Sequence, residues 1–90
     1  MTPTEISSAL NKISDHIHVK KVDIKAQKKR IVFALQYAIH QDLAPDRSRA
    51  DSAKIALADH YIQLNALQYQ LEVLVEESKS LTKALRNARA

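Results

Sequence analysis

The 90-residue chain contains no glycine, although average usage of about 7% leads one to expect about six. Glycine supplies left-handed corners, phosphate-cradling loops and close backbone approach to ligands, so functions built on those devices are disfavoured. There is no cysteine, which excludes a disulfide framework and a thiolate metal site. The expected setting is a reducing compartment, or one where redox state is immaterial. Proline occurs twice, at Pro3 and Pro45. No apolar run approaches the ~20 residues of a membrane span. Met1-Thr2-Pro3-Thr4-Glu5 lacks the positive charge and apolar stretch of a secretory signal. The expectation is a cytoplasmic protein with no membrane partner.

What remains is rich in Ala, Leu, Ile, Lys, Gln and Glu, all compatible with helix. The fold class expected is all-α, in a single domain over residues 1–90. A chain this small buries only about 60–65% of its unfolded surface, so its own core is modest.

Thr2-Pro3-Thr4-Glu5 reads as a helix start, with Thr2 as N-cap, Pro3 in the first turn and Glu5 closing a capping box. From there Ile6, Leu10, Ile13, Ile17, Ile24, Ile31 and Ala38 follow alternating spacings of four and three, interrupted by Lys20, Gln27, Ala34 and Gln41. Ala44-Pro45-Asp46 ends this arm, because the residue before proline is pushed out of helical geometry. A second helix restarts at Asp46 or Ser48, with Asp51 in a weaker capping arrangement. From Leu57 its heptads are strong. Leu57, Leu64, Leu71, Ser78 and Leu85 hold one core position, and His60, Leu67, Leu74, Leu81 and Ala88 hold the other. A Leu-rich helix of that length points to coiled-coil packing.

The expected architecture is therefore a long antiparallel hairpin: arm 1 over 3–43, turn over 44–47, arm 2 over 48–88. Residues 18–23 (His-Val-Lys-Lys-Val-Asp) are β-branched and polar, and Asp23 could cap a new helix. The first arm is thus open to a kink or break there, and a three-helix bundle is the alternative. That bundle would leave Leu74, Leu81 and Leu85 uncovered, at ~1.5–3 kcal/mol per side chain. Ala9, Leu35, Ile39, Leu43, Tyr61 and Val75 widen the stripes beyond one seam, which suits a bundle of three or four helices. Completion by a second copy, as a homodimer, is the expectation, and a helical hetero-partner would serve the same need.

Charge falls in blocks. Residues 20–30 carry Lys20, Lys21, Lys25, Lys28, Lys29 and Arg30 against Asp23, a local +5. Residues 61–78 carry Glu72, Glu76 and Glu77 without a cation. Lys79, Lys83, Arg86 and Arg89 follow, where cations complement a helix C-terminus. A hairpin centred near residues 46–47 predicts Lys20 and Lys21 opposite Glu72, Asp15 near Lys79, and Glu5 near Arg86 and Arg89.

These features yield two readings of function. In the first, the chain is a non-enzymatic interaction protein: adaptor, chaperone, inhibitor or regulatory subunit. It grips a macromolecular partner through a helix face, with Leu64, Leu67, Leu71, Leu74, Leu81, Leu85, Tyr61 and Tyr69 as interface candidates. In the second, Lys20, Lys21, Lys25, Lys28, Lys29 and Arg30, joined by Lys83, Arg86 and Arg89, meet nucleic acid phosphates or an acidic partner. Lys21, Lys25, Lys28 and Lys29 share a helix face. Phe33 and Tyr37 sit at core-like spacing, however, so interleaved aromatics for single strands are missing.

Of the four histidines, His16 and His18 are two apart and diverge on a helix, His40 stands alone, and His60 occupies a core position. No metal, no cofactor and no catalytic residue is expected. The serines lie in helical or capping contexts, and Glu76 and Glu77 point about 100° apart. Leu71→Lys should dissolve the packing by placing a charge in the seam, whereas Lys29→Glu should leave folding intact. Circular dichroism melts of the two variants test this contrast.

Overall fold

A computed structural model describes residues 1–89. Two helices, α1 (Pro3–Leu43) and α2 (Ala50–Arg89), form an all-α antiparallel hairpin. The packing divides into two compact units, each built from both helices. One is residues 23–67, including the turn; the other is residues 1–22 with those from 68 onward.

α1 opens as its capping residues require. The Glu5 N–H donates to Thr2 Oγ1 at 3.2 Å, the Thr2 hydroxyl donates to Glu5 Oε1 at 3.2 Å, and the Ile6 N–H reaches the Thr2 carbonyl at 3.0 Å. The carboxylate thus takes the threonine hydroxyl, not the backbone N–H of a full capping box. α1 then runs helical without interruption through residues 18–23, so a first arm broken there, and the three-helix alternative with it, are not formed. The physical reason is local. Without glycine or proline, Val19 and Val22 cost only a few tenths of a kcal/mol in helix, and Ile17 and Ile24 on either side hold the same stripe.

In the unit of residues 23–67, Ile24, Gln27, Ile31 and Ala38 of α1 and Ala50 and Ala53 of α2 are buried. Leu57, His60, Leu64 and Leu67 are half-buried. In the other unit, Ile6 and Ile13 are buried, while Leu71, Leu74, Ser78, Leu81 and Leu85 are half-buried. The buried set keeps the four-and-three rhythm of a coiled-coil seam.

Among the described residues, one polar seam side chain is fully buried. Gln27, 1% exposed, is the most deeply buried side chain. Its Nε2 donates to His60 Nδ1 at 3.1 Å and to the His60 carbonyl at 2.9 Å, and Arg30 donates to its Oε1 at 3.1 Å. The ring nitrogen facing it is therefore the unprotonated one. Among the described residues no buried side-chain polar atom lacks a partner. A satisfied polar pair of this kind specifies register, because any slip leaves an amide unpaired in an apolar seam.

The turn differs in detail from the sequence expectation. α2 begins at Ala50, and no hydrogen bond of the Ser48 hydroxyl caps it. Instead the Asp46 carboxylate accepts the Ser48 N–H at 3.0 Å. The Ala50 N–H reaches the Arg47 carbonyl at 3.1 Å, and the Ala53 N–H reaches that of Arg49 at 3.0 Å. Of the two expected starts, Asp46 and Ser48, Asp46 supplies the side-chain bond, as an Asx turn after Pro45.

Gln27→Ala should lower unfolding free energy by about 2–3 kcal/mol, from lost hydrogen bonds and an orphaned His60 contact. The double variant Gln27→Leu/His60→Leu should instead raise Tm and broaden the range of oligomers. Urea melts and light scattering read both.

Candidate interaction surface

The seam leaves much apolar surface open. Among the described residues, seven hydrophobic residues are buried, against fourteen large hydrophobics that are exposed. In residues 23–67 the exposed set includes Val32, Phe33, Leu35, Tyr37, Ile39 and Leu43 on α1, and Ile55, Tyr61 and Ile62 on α2. Phe33 is 71% exposed, Ile55 64% and Ile62 65%. Ile55 and Ile62 lie two turns apart on the side of α2 away from the seam, at the heptad position farthest from Ala53 and His60.

The leucines proposed as partner contacts lie along the seam. Leu64, Leu67, Leu71, Leu74, Leu81 and Leu85 share the stripe from which His60 meets Gln27, and each is half-buried. Leu67 borders a groove with Asp23, Gln27 and Arg30, and Leu74 borders one with Val19 and Lys20. Tyr61 and Tyr69, at 45% and 67% exposure, stay open. Sequence periodicity gave these leucines both parts, as core positions of the hairpin and as partner contacts. The exposed residues at outer positions, Val32, Phe33, Ile55 and Ile62, were the ones missed. Their signal was the presence of β-branched and aromatic residues where a solvated coiled coil carries charge.

The unit of residues 1–22 with those from 68 onward has an open groove of about 540 Å³ lined by His16, Val19, Lys20, Tyr69, Gln70, Val73 and Leu74. Lys20 spans it, donating to Gln70 Oε1 at 2.8 Å. Its methylene stem occupies a seam position while the ammonium leaves for the edge.

The basic cluster splits accordingly. Lys20 is committed to Gln70 and Arg30 to Gln27, whereas Lys21, Lys25, Lys28 and Lys29 are exposed. Among the described residues none of these four forms an ion pair; the pairs are Arg47–Asp42, Lys54–Asp42 and Lys79–Glu76. The expected registers of Lys20 and Lys21 with Glu72, Asp15 with Lys79, and Glu5 with Arg86 and Arg89 are thus not realised as ion pairs. Glu72 follows the seam residue Leu71 and so points outward, and Lys79 turns to Glu76 at 3.2 Å within its own helix. Lys83, Arg86 and Arg89 are exposed near the end of α2. His16, His18 and His40 are exposed, and no group of three His, Asp or Glu side chains able to hold a metal ion occurs among the described residues. Among the described residues, no helix is long and apolar enough to cross a membrane.

Asp42 is the electrostatic hub at the turn. Lys54 at 3.0 Å and Arg47 at 2.6 Å both reach its Oδ1. Hydrogen bonds from Lys54 first and Arg47 second hold its carboxyl below the usual aspartate range, and the Ser48 N–H does the same for Asp46. The Asp42–Lys54 pair also marks geometry. Both residues flank the seam on one side, so Leu35, two turns before Asp42, and Tyr61, two turns after Lys54, border that same side.

No protein-family model, no curated protein and no solved structure matches the chain.

A carboxylate with a depressed folded pKa contributes stability that is present above its unfolded value, about 3.9, and lost as pH falls through the folded value. The hairpin should therefore lose Tm as pH drops below about 4. Asp42→Asn should show a flatter profile over that interval, and high salt should shrink the difference between the two.

Proposed function

We propose that the chain is a small non-enzymatic interaction protein that binds a macromolecular partner through exposed apolar helix faces. One observation carries this reading: after the seam has closed, Phe33, Ile55 and Ile62 remain more than 60% exposed. Scattered single apolar residues on a surface need no explanation, but a set this dense in a short helical segment marks an interaction surface. Aromatic and aliphatic anchors of this kind suit helix-in-groove recognition, with the tyrosines as amphipathic contacts. The tasks compatible with this mode are those of an adaptor, chaperone, inhibitor or regulatory subunit.

A second reading rests on different residues. Lys21, Lys25, Lys28 and Lys29 are exposed without in-chain ion pairs, and their spacing of three and four can follow a phosphate backbone. Under this reading the protein is a nucleic-acid-binding regulator, with Lys83, Arg86 and Arg89 adding a second basic stretch.

Two variants separate the readings. Phe33→Asp/Ile62→Asp should abolish capture of protein partners while keeping nucleic acid retention. Lys21→Glu/Lys29→Glu should leave protein capture intact. Wild type eluting from immobilised DNA at low salt, with no change in the lysine variant, dismisses the nucleic acid reading. Protein capture that survives Phe33→Asp/Ile62→Asp dismisses the apolar-face reading.

A further inference from the structure

We infer that the face bearing Val32, Leu35 and Ile39 pairs with the same face of a second copy of this chain, antiparallel, about a two-fold axis at Leu35. The inference rests on the apolar-face reading above and names the partner for one face. These three residues are 53%, 41% and 52% exposed, and their spacing of three and four places them on one stripe of α1. Extended by the same rhythm, the stripe carries Lys25 and Lys28 before Val32 and Asp42 after Ile39. It is therefore basic at one end, apolar in the middle, and ends on the Asp42 carboxylate that Lys54 and Arg47 already share.

A stripe with that polarity complements itself in one orientation. Laid antiparallel with Leu35 on the axis, Val32 meets Ile39 of the second copy, and Lys28 meets Asp42 of the second copy. Parallel pairing in register would set Lys28 on Lys28 and Asp42 on Asp42, which repel. Sliding the antiparallel pair by one turn sets Lys28 against Ile39 or Val32 against Asp42, burying a charge against an apolar residue. Only the Leu35-centred register matches apolar with apolar and cation with anion.

Lys54 and Arg47 both reach Asp42 Oδ1, so Lys28 of the second copy would approach this shared carboxylate from its Oδ2 side. α2 extends the face as well, since Tyr61 borders the same side of the seam as Leu35 and is 45% exposed. Hairpin then packs on hairpin as a four-helix bundle, the arrangement that stripes of this width favour. The interface is isologous, as a closed two-fold dimer requires.

The test combines mass and chemistry, using the full chain. Size-exclusion chromatography with light scattering at tens of micromolar should give about twice the chain mass of 10.2 kDa. Leu35→Lys should run as a monomer with helicity unchanged, because the position is part-exposed in the hairpin. The chain has no native cysteine, so Leu35→Cys places the only thiol on the axis. It should oxidise to a disulfide-linked dimer at least tenfold faster than Phe33→Cys, which lies about 200° around the helix. A monomeric wild type, a dimer that survives Leu35→Lys, or equal cross-linking of the two cysteine variants overturns the inference. Those outcomes leave the broader reading standing, since it is read through Phe33→Asp/Ile62→Asp and a different partner.

Discussion

Two helices lying side by side can shelter only one stripe from each, and that limit shapes everything else in this protein. Isoleucines of α1 and leucines of α2 fill the available seam in both compact units. Apolar residues beyond that stripe have nowhere to go within the pair. Val32, Phe33, Ile55 and Ile62 face outward for this geometric reason, since α1 and α2 have no third partner within the chain to cover them. Composition sets how much apolar surface is made, and helix-pair geometry sets how much of it is hidden. The excess is what a partner can use.

Within the seam the burden of specificity falls on a single polar layer. Apolar heptads tolerate slippage by seven residues, because isoleucine meets leucine equally well after the shift. Gln27 and His60 remove that freedom, since the amide finds both a ring nitrogen and a carbonyl only in the observed register. Arg30 completes the arrangement by occupying the remaining amide oxygen. Surface charge contributes less. Among the described residues, Lys21, Lys25, Lys28 and Lys29 form no ion pair, and Glu76 pairs with Lys79 of its own helix.

Much of the fold was legible from the residues. Thr2 to Glu5 announced the first helix, Pro45 announced its end, and the leucine heptads announced the second helix and its seam. What escaped was what requires knowing who faces whom. Lys20, Gln27 and Gln41 stood out as interruptions, yet nothing in spacing alone paired Gln27 with His60 or sent Lys20 to Gln70. Charge blocks suggested a register that the side-chain directions do not support, because Glu72 directly follows the seam residue Leu71 and is turned away. The start of α2 was open between Asp46 and Ser48, and the Asp46 side chain is the one that forms the bond. Among site residues, the seam leucines were prominent in the pattern but are half-hidden by α1. The exposed residues carry no periodic signal strong enough to mark them.

Chemistry is also unevenly divided between the two arms. Apart from Leu10, the α1 stripe draws its large aliphatics from side chains branched at Cβ, whereas α2 draws its own from side chains branched at Cγ. Branched shoulders on one arm thus meet slender stems on the other. Exchange of arms between molecules would keep one arm of each kind in the seam, whereas pairing like arms would set isoleucine on isoleucine and separate Gln27 from His60.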